Sequence, residues 1–296
     1  MILTLAKCGG FYLHMIVKYL FLYKTFYMKK RLIFNFYINE GWKENHINKI
    51  HLYCLKYFKD VFTEMTFMVS VNDVNNVKLI YEFEEYIISL HLCTDIKFIV
   101  KQNHVFREAQ NFYDEVALKL KELDGLTFFA HNKGITNYVD SAYKKENVEK
   151  WITSMYYGCL IRPEESEYEL TDGRKVSYGT LFDIIIYDYG HKEQLNLHLG
   201  DRCFFYMGTF FWLNCRVIDD FLRRSEKTVP TINDRWYAEN FLANIIDEKY
   251  CGRFDTRYMI DYLDGGWGEM DKVLLWSFGP HLEDYLNFHN KVLENI

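Results

Sequence analysis

From residue 31 onward the chain alternates short β-rich runs with amphipathic helical stretches, and this rhythm constrains the fold more than any other feature of the sequence. Residues 31–38, 65–71, 96–100 and 126–130 are compact apolar runs rich in Phe, Ile and Val. Between them, residues 44–59 place Ile47, Ile50, Cys54, Tyr57 and Phe58 at helical spacing. Residues 76–91 do the same with Val77, Ile80, Phe83, Ile87 and Ile88, and residues 106–120 with Phe112, Tyr113, Val116, Ala117 and Leu120. Strand starts recur about every 30 residues, one βα unit apart. The pattern predicts an α/β fold: a mostly parallel sheet built from βαβ crossovers, with helices on both faces. In open sheets of this kind ligands bind beyond the carboxyl ends of the strands. That rule directs attention to residues 39–41, 72–75, 102–104 and 131–134.

Several function classes lose support at once. No G-x-G-x-x-G, no G-x-x-x-x-G-K-[ST] and no G-x-S-x-G follows any of these strands. The net charge is −6, from 35 basic and 41 acidic residues, which argues against a nucleic-acid-binding domain. Seven scattered cysteines without a C-x-x-C fit free thiols in a reducing, cytoplasmic setting and lack zinc-ribbon spacing. The 24 Tyr and 24 Phe beside 3 Pro fit AT-rich codon usage more simply than a ring-lined site. Residues 11–28 are apolar but broken by Lys18 and Lys24, short of the roughly 18 uncharged residues of a spanning helix. They read as an N-terminal helix over residues 1–30. Either it packs on the domain, or residues 11–31 lie at the inner membrane surface with Lys29, Lys30 and Arg31 reaching anionic headgroups.

The most informative segment is Phe128-Phe129-Ala130-His131-Asn132-Lys133-Gly134, where a strand runs straight into a polar loop. Gly134 permits a close backbone approach, Lys133 offers a mobile positive charge suited to phosphate, and His131 can ligate a metal, donate a hydrogen bond or move a proton. Downstream, Tyr206-Met207-Gly208-Thr209-Phe210-Phe211-Trp212 is an aromatic strand-like run with glycine inside it, and Trp236-Tyr237-Ala238-Glu239-Asn240 opens a stretch that reads as a helix over 234–249. Together the aromatic-aromatic-x-His-x-Lys-Gly and Gly-Thr-Phe-Phe-Trp motifs resemble those of glycosyltransferases of bacterial capsular and surface-polysaccharide loci. The resemblance spans roughly residues 31–250.

That resemblance implies a GT-A-like nucleotide-binding fold. It implies transfer of a sugar from a nucleotide-sugar donor to a glycan or lipid-linked acceptor. Residues 31–134 would form the nucleotide-binding half and 135–296 the acceptor half of one domain. By position, Asn39, Glu40, Asn72 and Asp73 would meet the base and ribose, and His131, Asn132, Lys133 and Gly134 the diphosphate. Many such enzymes hold manganese or magnesium with Asp-x-Asp. This chain has none, and Asp73-Val74-Asn75 is its nearest approach. Either Lys133, with His131, neutralises the diphosphate directly, or His131 and a carboxylate hold the ion. The first is favoured. An inverting transfer needs a base, for which Glu239 is the first candidate and Asp234 the second. Gly208, Thr209 and Trp212 would form the sugar or acceptor subsite, Trp212 by stacking on a sugar face. Strand alternation would put Tyr206, Gly208, Phe210 and Trp212 on one side. Other nucleotide-dependent transferases, or a non-catalytic nucleotide or carbohydrate binder of the same fold, are the competing readings.

The remainder reads as a helix over 146–158, irregular chain or short strands to residue 199, a helix over 215–224 and a terminal helix over 282–293 with Leu282, Tyr285, Leu286, Phe288 and Val292 for packing. No Pro/Gly/Ser-rich linker divides residues 31–296.

Overall fold

A computed structural model describes residues 29–132, 142–161, 175–180, 182–186, 202–206, 209–233, 237–253 and 278–296. Residues 1–28 of the proposed N-terminal helix lie outside this range, and its expected last residue, Lys30, instead begins the first strand. Strands β1 (Lys30–Tyr37), β2 (Glu64–Val71), β3 (Ile96–Gln102) and β4 (Leu126–His131) alternate with helices α1 (His46–Tyr57), α2 (Val77–Ser89) and α3 (Glu108–Glu115). After α4 (Ala142–Leu160) come β5 (Ser177–Gly179), β6 (Phe182–Ile186), β7 (Arg202–Tyr206), β8 (Phe211–Leu213), α5 (Cys215–Arg224), α6 (Tyr237–Asn240), β9 (Cys251–Arg253) and α7 (Leu282–Leu293). Helix starts are written locally. Asn45, Asn76 and Asn214 each accept a hydrogen bond from the backbone N–H three residues on, capping α1, α2 and α5.

The main sheet has seven strands in the order β3-β2-β1-β4-β8-β5-β9. β1 pairs in parallel with β2 and β4, and β2 with β3, whereas β8 runs antiparallel to both β4 and β5. Side-chain alternation feeds two cores. Leu32, Phe34 and Phe36 of β1, with Phe67 of β2 and Phe128 of β4, pack against α1, α2, α4 and α7. Ile33, Met68 and Phe129 face the other way, against α3, α5 and α6. The placement follows from crossover handedness. The chain moves outward from β1 to β2 to β3 with helices on one face, then returns past β1 to β4. A right-handed return must put α3 on the opposite face.

Several sequence expectations are corrected here. Val77 is 68% and Ile88 55% exposed, so the inward face of α2 is narrower than its apolar pattern implied. Leu286 is 37% exposed, while Tyr285, Phe288 and Val292 of α7 are buried. The helix expected over 234–249 is, among described residues, the short α6 followed by turns and a 3-10 turn at Glu248–Tyr250. The aromatic run 204–213 is not one strand. β7 pairs with β6 in a separate two-stranded sheet, and β8 joins the main one. The two sheets are tied together by Tyr206. Its hydroxyl donates to the Gly252 carbonyl at 2.6 Å and shares a 3.0 Å hydrogen bond with Ser177. Its ring lies so close over Gly179 that a Cβ there would meet it at 2.5 Å, which explains a glycine inside β5. Tyr206 therefore faces the α3/α5/α6 core, on the side opposite Phe210 and Trp212.

Among the described residues no helix is long and apolar enough to cross a membrane.

Candidate functional site

Strand order reverses direction between β1 and β4, so the crevice beyond their carboxyl ends is where an open α/β sheet offers a ligand site. Asn35 of β1 stands in register with His131, the last residue of β4. On the α3 face of this junction Asn35 Oδ1 accepts from Ser70 Oγ at 2.9 Å and from Asn111 Nδ2. Asn111 Nδ2 also lies 2.9 Å from Ser70 Oγ. All three residues are buried. A polar floor of this kind holds together because its donors and acceptors meet one another away from water.

His131 is 5% exposed. Its Nδ1 lies 4.0 Å from Glu108 Oε1 at the first turn of α3, close enough for the carboxylate to pair with an imidazolium. The Phe210 ring lies 6.0 Å from the imidazole. The β4–β8 register ends with Phe129 paired with Phe211, two residues short of Thr209 in the turn that precedes β8. Thr209 is 1% exposed and has φ 61°, a backbone region that β-branched residues rarely occupy. Its N–H donates to the Tyr206 carbonyl at 3.2 Å, and its hydroxyl donates to Glu239 Oε1 at 3.2 Å. The turn before β8 and the start of α6 thus meet through Thr209 and Glu239, and the next residue, Phe210, neighbours the His131 ring at the end of β4.

Asn132 has a different part from the one expected. Its Oδ1 accepts from the Tyr37 N–H at 3.0 Å, and its Nδ2 donates to the Tyr37 carbonyl at 2.9 Å and to Asn48 Oδ1 at 3.0 Å. The side-chain amide imitates a strand residue and extends the β1–β4 pairing by one rung. Both its N–H bonds are used internally, so it clamps the sheet rather than contacting a diphosphate. Asn132→Ala should lower the free energy of unfolding in urea by about 2–3 kcal/mol, because the half-buried Tyr37 backbone groups and the buried Asn48 side chain lose their partner. An unchanged midpoint would show that the clamp is dispensable.

The predicted base and ribose residues lie further along the same carboxyl edge. Asn72 is exposed and donates from Nδ2 to the Tyr37 hydroxyl at 2.9 Å, while its carbonyl accepts from Gln102 at 3.1 Å. Asp73 Oδ1 accepts from the Asn75 N–H at 2.9 Å and shapes its own turn. Asn39 is exposed, and its carbonyl closes a turn with the Trp42 N–H. Glu40 lines an open groove of about 650 Å³ on the helical side, with Glu44, Lys78, Glu82 and Tyr86, separate from the His131 cluster.

The role expected of Trp212 is overturned. The residue is 1% exposed, its indole N–H donates to the Cys159 carbonyl at 2.9 Å, and its ring packs on Phe62 and Phe128 at 5.7 and 5.1 Å. A side chain buried in this way has no face left for a sugar. Thr209 is likewise too buried to contact an acceptor directly. Lys133, Gly134, Gly208 and Asp234 lie outside the described residues.

Glu108 was missed by sequence reasoning, since a carboxylate in the first turn of a helix is ordinary. The polar floor left a fainter signal: Asn35 interrupts the apolar run Leu32-Ile33-Phe34-Asn35-Phe36 at an inward position. For a divalent ion, His131 and Glu108 supply two donors, and among the described residues no three His, Cys, Asp or Glu side chains converge on one point. Compared with known proteins, the chain matches no family model and no curated sequence.

Proposed function

We propose that this protein is a glycosyltransferase that moves a sugar from a nucleotide-sugar donor to a glycan or lipid-linked acceptor in surface-polysaccharide synthesis. The observation that supports the reading is the buried His131 at the point where strand order reverses, beside Glu108 and the Phe210 ring, with the residue before Phe210, Thr209, hydrogen-bonded to Glu239. In this reading His131, paired with Glu108, and Lys133, two positions further along the sequence, balance the diphosphate charge that grows as the glycosidic bond breaks. Glu239 takes the proton of the attacking acceptor hydroxyl. Asn72 and the Tyr37 hydroxyl, at the neighbouring strand ends, supply polar contacts for the nucleoside.

The test is thermal unfolding of the full chain with UDP, GDP, CMP and dTDP and their sugars, each with and without manganese. A ligand that binds only the folded state at a hundredfold excess over its Kd adds about 2.7 kcal/mol of stability. One nucleotide class should therefore raise the melting temperature by several degrees. Its dependence on manganese separates a metal-assisted diphosphate site from one built on side-chain cations alone. Glu239→Gln should retain that shift while donor consumption falls about a hundredfold or more. A shift with no donor consumption under any acceptor would favour a non-catalytic binder, and no shift with any nucleotide would remove the basis of the proposal.

A further inference from the structure

We infer that Thr209 is a positioning residue, a backbone catch that aims the Glu239 carboxylate at the site, and not part of the sugar subsite. The inference rests on the reading of Glu239 as the base but adds a residue role of its own. Three features meet at this position. The backbone has φ 61°, which in an L-residue with a branched Cβ crowds the Cβ against the following carbonyl oxygen. The side chain is 1% exposed and sits between the end of β7 and the start of β8. Its hydroxyl donates to Glu239 Oε1. A glycine would adopt this backbone without strain, and a serine would make the same hydrogen bond. Retaining threonine under strain gives the turn a hydroxyl whose direction is fixed by a side chain that is stiff at χ1. Strain held in place by surrounding packing is characteristic of positions where geometry serves function.

The neighbouring connections explain how the catch is held. The Thr209 N–H is tied to the Tyr206 carbonyl, and Tyr206 is itself anchored to Ser177 and to Gly252 of β9. On the other side Phe210 is fully buried, and its ring meets His51, Phe128 and Tyr156 at 6.1, 6.1 and 5.1 Å. The turn is pinned at both ends, so the hydroxyl cannot drift from the carboxylate without disturbing two sheets. The Glu239 carboxylate belongs to a helix of only four residues, which has little rigidity of its own. Its aim therefore depends on the turn.

The test uses Thr209→Ser, Thr209→Ala, Thr209→Gly and Glu239→Gln in the full chain. Melting temperatures report the backbone. At an ordinary strand or helix position glycine is less stable than alanine; at a positive φ the order inverts. Thr209→Gly should melt about 2–5 °C above Thr209→Ala. The donor found by thermal shift, with UDP-glucose as the starting probe, then reports function. The kcat for donor consumption should fall at least tenfold in both Thr209→Ala and Thr209→Gly with KM little changed, and Thr209→Ser should restore it to within about threefold. If Thr209→Gly melts below Thr209→Ala, the backbone is not strained and the catch is overturned. If Thr209→Ala keeps the parental kcat while Glu239→Gln loses it, Thr209 does not aim the base. If Glu239→Gln itself keeps full activity, the assignment of Glu239 as the base fails and the positioning role falls with it, whereas the melting order still reports separately on the strained turn.

Discussion

A chain carrying Trp212→Ala should lose about 3–5 kcal/mol of unfolding free energy, read as a large drop in its urea midpoint. The indole is fully buried in β8 and stands in register with Phe128 of β4 on one side and Tyr178 of β5 on the other. Removing it leaves a cavity between two strands that meet only through β8. It also strips the Cys159 carbonyl of its 2.9 Å donor in a buried setting. Trp212→Phe should cost less, about 1–3 kcal/mol, since most of the apolar volume returns but the hydrogen bond does not. The pair of variants decides between packing and recognition. Near-parental stability of Trp212→Ala, with selective loss of donor or acceptor binding, would restore the sugar-stacking role that the burial contradicts.

Stability should also collapse at alkaline pH. Burial pushes the Cys159 and Cys215 thiols up to about 12, and pushes Cys54, Tyr156 and Tyr206 well above their ordinary values. In the unfolded chain a thiol titrates near 9.0. Below that pH both states hold the proton, and these groups leave stability unchanged. Above it the unfolded chain releases protons that the folded chain retains, so unfolding becomes easier with every increment of pH. Each such group removes about 1.4 kcal/mol per pH unit, so Cys159 and Cys215 alone remove about 3 kcal/mol per unit between pH 9 and 12. Urea midpoints at pH 7.5, 9, 10 and 10.5 should fall progressively after the second point. A flat series to pH 10.5 would mean the thiols are not buried as described. Peptide-resolved alkylation of the native chain at pH 8 offers an independent check. Among the described cysteines the half-exposed Cys93 should react first, and Cys54, Cys159, Cys215 and Cys251 only on unfolding.

The first four strands and three helices were legible because each is long enough for its period to show and each helix start carries a local signal, as Asn45 and Asn76 illustrate. The third helix is the exception in its cap. Arg107 precedes it with φ 51° and no side-chain hydrogen bond, and its N-terminus could not be read from residue type. The three-residue strands β5, β8 and β9 are too short to carry a period. Their place in the sheet depends on what β4 leaves uncovered, which no local pattern records. The break at Thr209 was illegible for a sharper reason. Threonine favours extended backbone, so its residue type argues against the conformation it adopts. At the site, His131 and Glu239 were singled out because strand ends and polar loops are where chemistry often sits. Trp212 was misassigned because an aromatic ring looks the same in sequence whether it stacks on a ligand or on Phe62 and Phe128. Asn132 was misread because its partners, Tyr37 and Asn48, are far away in the chain.

The insertion of β8 between β4 and β5 has a consequence for how the protein is made. Synthesis delivers β1 to β4, with their crossover helices, as one run of parallel pairs, β1 with β2, β2 with β3 and β1 with β4. The far side of β4, bearing Phe128 and Phe129, has no hydrogen-bonding neighbour until Phe211–Leu213 has emerged from the ribosome. For that interval the nascent chain carries a bare hydrophobic sheet margin, the kind of surface that recruits other unfinished chains or a chaperone. Shortening the chain before residue 213 therefore leaves that margin open, and the exposed interval lengthens with any delay between completing β4 and delivering β8.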